Sequence, residues 1–184
     1  MTAQGFAIFD TPIGACGVAW NPRGIVGLQL PGATAERTRA RLRQRWTGAL
    51  EATPPPVVQQ AIDRVLALLN GKAVDLSDVA LDLEGAPEFH RRVYEVARTI
   101  PPGQTMTYGE IARQLGAPQE SREVGQALGR NPIAIIVPCH RVLGAAGKMG
   151  GFSASGGVAT KRRILEIEGA AALAAGPLFD RARS

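Results

Sequence analysis

The stretch TYGEIARQLGAPQESREVGQALG, residues 107 to 129, reads as two short helices joined by a tight turn. Thr107 and Glu110 stand in the T-x-x-E spacing of a capping box, which satisfies N–H groups left unpaired where a helix begins. Ile111 and Leu115 fall on one inward face, and Gly116 supplies a residue suited to ending the helix. After the turn GAPQE, the segment SREVGQALG sets Val124 and Leu128 one turn apart. This is the outline of a helix-turn-helix, although other helical hairpins share it.

Upstream, Phe89, Val93, Val96 and Ile100 mark one face of a helix that Pro101 and Pro102 end. Downstream lies IIVPCHRV, residues 135 to 142, which holds one of two cysteines beside one of two histidines. A thiol is a useful nucleophile only when ionised, its free pKa is about 8.5, and a neighbouring imidazole or a helix start is the usual means of lowering it. Pro138 suits such a helix start. On the dipeptide alone, Cys139 reads equally well as a small buried hydrophobe with His140 as a surface neighbour.

The first half has another texture. Gly5 to Asp10, Cys16 to Trp20 and Ile25 to Leu30 alternate, and the turn sequences TPIG and NPRG separate them, which predicts an antiparallel meander with Cys16 buried in a strand. A helix is expected from Ala35 to Trp46, its row of arginines read as a solvated face. Past the prolines at 54 to 56, the apolar pairs Val57/Val58, Ala61/Ile62 and Val65/Leu66, with Leu69, predict an amphipathic helix. Val79, Leu81 and Leu83 alternate as a further strand, and Glu84 to Pro87 reads as a linker. The fold class is therefore α/β (α+β) in two domains, residues 1–85 and 86–169, followed by a tail, 170–184.

Composition narrows the setting. The chain has 184 residues, 45% of them hydrophobic, with a net charge of +5. Residues 1–85 carry 8 basic and 8 acidic side chains, whereas residues 86–169 carry 11 and 7, so the surplus sits with the Cys-His pair. A phosphate-binding surface needs such an excess, though many soluble proteins carry as much. No apolar run approaches the roughly 18 residues of a membrane span, and the N-terminus lacks the pattern of a secretory signal, so a cytoplasmic protein is expected. Two cysteines and two histidines outside ligand spacing predict reduced thiols and no metal.

The ordered blocks TYGEIA, SREVGQAL, RNP, VPCHRV, GGFS and KRRILEIEG resemble the O6-alkylguanine-DNA alkyltransferases, also called methylated-DNA-protein-cysteine methyltransferases, closely over residues 87–169. The resemblance implies a ribonuclease H-like N-terminal domain and a winged-helix-like C-terminal domain. It implies DNA repair by irreversible, stoichiometric transfer of an alkyl group from O6-alkylguanine to Cys139, with O4-alkylthymine as a further candidate substrate. His140 would take the thiol proton through a water, Glu168 would orient the imidazole, and Tyr108 would protonate the departing base. The Val142 carbonyl and Ser153 N–H would bind the base, with Phe152, where many members have tyrosine, stacking on it. Arg122 would fill the gap left by the flipped nucleotide, Gly125 and Ala127 would allow close approach to the minor groove, Arg141 would join the DNA contacts, and Asn131 would link recognition helix to active site. The implied partner is double-stranded DNA, bound by a monomer without cofactor. A non-catalytic lesion-binding protein, a helix-turn-helix transcription regulator and a cysteine hydrolase are the alternatives; the first kind lacks the cysteine present here.

Overall fold

The three alternating segments form the expected meander in the computed structural model, which describes residues 2–154 and 156–174. β1 (Gly5–Thr11) pairs antiparallel with β2 (Gly14–Asn21), and β2 with β3 (Gly24–Gln29). Cys16 is buried within β2, as its alternation requires. The turn before β3 needs glycine at Gly24, whose φ is +148° and where a Cβ would come within 2.5 Å of the Ala80 carbonyl. The sheet gains a fourth member that the sequence hides: β4 (Leu50–Glu51), two exposed residues running parallel to β1, gives the order β3-β2-β1-β4.

The expected strand at Val79, Leu81 and Leu83 is not one. Leu81 makes a single bridge to Ile25, through Ile25 N–H to Ala80 O and Asp82 N–H to Ile25 O. The reason lies in β3, where the register against β2 skips a residue between Ile25 and Gly27. That bulge turns the backbone groups of both Ile25 and Leu28 to the free edge, because it shifts the alternation by one. Ile25 takes residues 80–82 and Leu28 takes Pro132 and Ala134, so neither neighbour extends into a ladder.

The helices follow their apolar spacing. α1 (Ala35–Arg45) ends at Trp46, whose N–H caps Leu42 O. Arg39 and Arg43 pair with Glu51, part of a row that stays at the surface. α2 (Pro56–Leu69) buries Val58, Ala61, Ile62, Val65, Leu68 and Leu69. In α3 (Glu88–Arg98) the buried centre is Val93, Tyr94 and Ala97, with Ile100 just beyond, while Phe89 and Val96 are only half-buried. One continuous core joins both halves, with Val18, Leu28 and Val65 in the same cluster as Val93, Val124 and Ile164.

The helix-turn-helix region is α4 (Tyr108–Gln114) and α5 (Ser121–Gly129). The capping box forms in full: Glu110 N–H donates to the Thr107 hydroxyl while the Glu110 carboxylate accepts from Thr107 N–H. Gly116, at φ +72°, closes α4 by donating to Arg113 O as Ala117 N–H reaches Ala112 O. β5 (Met106–Thr107) pairs in parallel with β6 (Val142–Leu143), which ties the start of α4 to the chain leaving Cys139. A 3₁₀ turn spans Cys139–Arg141, and α6 (Gly157–Ile167) packs on it, followed by the short α7 (Ala171–Ala174). Of the expected tail, residues 175–184 lie outside the described residues. No helix among the described residues is long and apolar enough to cross a membrane.

Candidate active site

A reversal of chain direction after α5 delivers Cys139. Asn131 clamps it: its side-chain carbonyl accepts from Ile133 N–H, and its amide donates to Val137 O at 2.8 Å and lies 3.4 Å from Cys139 Sγ. Buried Ile135 inside this loop sits at φ +70°, an unfavourable conformation for a β-branched residue and one that adjacent packing must hold in place. The Asn131 amide is thus a backbone fastener and a donor to sulfur at once. Burial pushes the Cys139 thiol up, against the hydrogen bond from Asn131 and the positive charge of Lys161. At rest the sulfur therefore holds its proton.

Behind the thiol lies a buried polar network. His140 Nε2 is 3.0 Å from Glu168 Oε1, and both side chains are essentially inaccessible. Glu168 also accepts from Arg141, Nε at 2.9 Å and Nη2 at 2.7 Å, while Arg141 Nη1 donates to Ile100 O. Burial raises the Glu168 carboxyl, but the hydrogen bonds from His140 and Arg141 outweigh it and hold the group at about 2. Burial likewise lowers His140 more than Glu168 raises it, so the imidazole is neutral near pH 7. With Nε2–H donated to the carboxylate, Nδ1 carries the lone pair, and it has no hydrogen-bond partner among the described residues. The arrangement holds a base next to a protonated thiol.

In front of the thiol is a cleft of about 540 Å³. Cys139 lies at its wall with Tyr108, Arg122, Gly125, Phe152 and Ser153, so the fold gathers these expected residues from four separate blocks. Burial, then the nearby Cys139 charge, raises the Tyr108 hydroxyl, which keeps it a proton donor. Arg122 is exposed on α5.

Two expectations need correction. Ala127 is buried and cannot face a groove, because the period of α5 sends Val124, Ala127 and Leu128 inward together. Arg141 is not a surface cation; its guanidinium is spent on Glu168 and Ile100 O. The Val142 carbonyl is already an acceptor, taking a 2.6 Å hydrogen bond from Lys161 Nζ and retaining one lone pair.

Other contributors went unread in the sequence. Lys161 is completely buried, and its spacing with Ile164, Leu165 and Glu168 was the available signal that it faces inward. Gly129 lines the cleft one turn beyond Gly125. Tyr94, outside every block, anchors α5 by donating to Ala127 O at 2.9 Å. At Gly150, φ is +59° and a Cβ would lie 2.9 Å from the Tyr108 hydroxyl oxygen.

Comparison with known proteins fits this site. A sequence model described as 6-O-methylguanine DNA methyltransferase, DNA binding domain, matches residues 88–170. The methylated-DNA–protein-cysteine methyltransferase of Mycobacterium bovis is 42% identical over 175 residues, 95% of this chain and 98% of that protein. The crystal structure of Mycobacterium tuberculosis OGT in complex with DNA aligns with a TM-score of 0.73 at 39% identity, covering 92% of this chain and 97% of that one. The O6-methylguanine-DNA methyltransferase of the archaeon Pyrococcus kodakaraensis aligns at 0.67 with 27% identity, covering 89% and 99%. Such identity along nearly the full length of both proteins, on the same fold, means that this chain belongs to the methylated-DNA–protein-cysteine methyltransferase family.

Proposed function

We infer that this protein repairs alkylated DNA by moving the alkyl group from O6 of guanine to Cys139 in a single turnover. The observation that carries the reading is that Cys139 lines an open cleft and is followed directly by His140, whose Nε2 is 3.0 Å from Glu168 Oε1. Cys139 and His140 are adjacent in the chain, so a water between Sγ and Nδ1 is the sensible proton path; the buried Nδ1 without a protein partner supports it. The resulting thiolate displaces guanine at the alkyl carbon: the S–C bond forms, the C–O6 bond breaks, and its electron pair leaves on the base. Tyr108 supplies the proton that makes the departing guanine neutral. The product is a thioether with no polarised carbonyl for water to attack, so the protein is consumed.

A base stacked in a duplex is out of reach of a thiol in this cleft. The nucleotide is rotated out, at a cost of a few kcal/mol of stacking, and Arg122 on exposed α5 fills the gap from the minor groove. Gly125 and Gly129 give α5 a low surface for that approach. In this reading residues 86–169 form a winged-helix-like DNA-binding domain, residues 1–85 a ribonuclease H-like scaffold, Asn131 the link between recognition helix and thiol, and the working protein a cytoplasmic monomer.

The test is to mix the protein with a duplex containing one O6-methylguanine, measure intact mass and map the modified peptide. One methyl on Cys139, absent in Cys139→Ser, is the expected result; an unmodified protein or repeated turnover sinks the reading. A smaller effect is expected for Gly150→Ala, whose new methyl pushes the Tyr108 hydroxyl away from its place over the cleft. Its single-turnover rate should fall about tenfold because the proton donor is displaced, and alanine at φ +59° should also cost about 1 kcal/mol of stability.

A further inference from the structure

The cleft over Cys139 has a second arm. A space of about 410 Å³ adjoins the first and shares Cys139, Phe152, Ser153, Leu128 and Gly129 with it. Its wall holds the apolar Leu28, Leu30, Pro132 and Ala134 and the polar Gln29, Asn131, Arg45 and Arg130, with no acidic side chain among the described residues. A methyl group needs only a small part of that room.

The fold builds the cationic wall. Trp46 packs against β3 because residue 27 is glycine; a Cβ there would come within 2.0 Å of the indole. Arg45, the last residue of α1, holds its guanidinium 5.1 Å above that indole ring. Arg130 caps α5 through its backbone N–H. Arg45, Arg130 and Cys139 line the same space.

Backside displacement puts Sγ, the carbon under attack and guanine O6 in a line, so any further atoms on that carbon project sideways. With the base in the arm of Tyr108 and Arg122, the second arm is the sideways space. We propose that Arg45 and Arg130 make this arm favour alkyl substituents ending in a carboxylate, those of the O6-carboxyalkylguanines. The proposal rests on Cys139 as the alkyl acceptor. Atoms and electrons balance as for methyl: S–C forms, C–O6 breaks with its pair leaving on guanine, the thiol gives up one proton and guanine gains one, and the carboxylate is a spectator. A guanidinium also suits a DNA phosphate. The placing of both arginines around a space that Cys139 also lines, rather than along exposed α5, favours the substrate.

Single-turnover rates of the full chain on duplexes bearing one O6-methylguanine, O6-carboxymethylguanine or O6-(2-aminoethyl)guanine, at fixed salt, provide the test. Arg45→Gln and Arg130→Gln should each lower the carboxymethyl rate about tenfold, the range of a lost charged hydrogen bond, and leave the methyl rate within about twofold. Arg45→Glu should raise the aminoethyl rate relative to methyl. An unchanged carboxymethyl-to-methyl ratio overturns the proposal. Equal slowing on all three duplexes with weaker duplex binding assigns the arginines to phosphates and overturns it too. Absence of methyl on Cys139 in the unsubstituted protein defeats instead the reading on which the proposal rests.

Discussion

Glu168→Gln is expected to cost about 3–5 kcal/mol of folding stability, the range for removing one partner of a buried ion pair. The carboxylate accepts from His140 and Arg141, all three side chains are buried, and the substitution leaves the buried Arg141 cation without a counter-charge and with one acceptor oxygen fewer. Against a typical total of about 5–15 kcal/mol, that is enough to bring the melting temperature down sharply. The pH dependence identifies the cause. Glu168 is held at about 2 in the fold against an ordinary 4.5, so its contribution is complete above pH 4.5 and is lost as pH falls through 2. The shift corresponds to roughly 3 kcal/mol, which agrees with the mutational range. Urea unfolding at several pH values should therefore show a steep acid loss in the wild type and a shallower one in Glu168→Gln. Equal acid slopes would falsify this assignment. Alkyl transfer should also slow by orders of magnitude, since His140 loses the acceptor that fixes its tautomer.

Lys161→Met is expected to act on stability in the opposite direction. Burial drags the Lys161 ammonium from 10.5 down to about 8, only partly opposed by Cys139. The folded chain thus gives up this proton before the unfolded chain does, and stability from this group rises as pH climbs from 8 to 10.5, by roughly 3 kcal/mol in all. Below pH 8 the full penalty of a buried cation applies, and methionine, of similar length, removes it. Cys16, raised by burial to about 12, and Cys139, also raised, pull the alkaline end of the curve the other way in both proteins. The difference between the two stability curves isolates the lysine: it should shrink steadily between pH 8 and 10.5. A difference independent of pH would show that burial does not lower the Lys161 ammonium. The same variant should react more slowly at neutral pH, because the ammonium is the only side-chain charge among the described residues that lowers the Cys139 thiol.

The sequence carried what local physics writes into it. The meander, α2, the capping box at Thr107 and the stop at Gly116 depend on alternation, helical period and turn residues within a few positions of one another, and each stands where the pattern puts it. Tyr108, Arg122, Gly125, Cys139, Phe152 and Ser153 were legible through their ordered blocks, and the fold brings all six to one cleft. Ala127 was misplaced although the period of α5 was in plain view: the neighbours Val124 and Leu128 already marked its face as the inner one.

What the sequence by itself determined is the set of elements and the chemistry of the side chains: an antiparallel sheet with helices, a helix-turn-helix, and a thiol beside an imidazole. Tertiary structure alone decided which charges meet. Glu168 is 28 residues from His140, and Lys161 is 19 from Val142. Nothing local says that Arg141 turns inward to Glu168 rather than outward, or that Arg45 from the first half lines the same space as Cys139 in the second. A charged side chain reads the same in sequence whether exposed or buried, and its protonation, strength and role are set by desolvation and by partners that only the folded chain brings within reach.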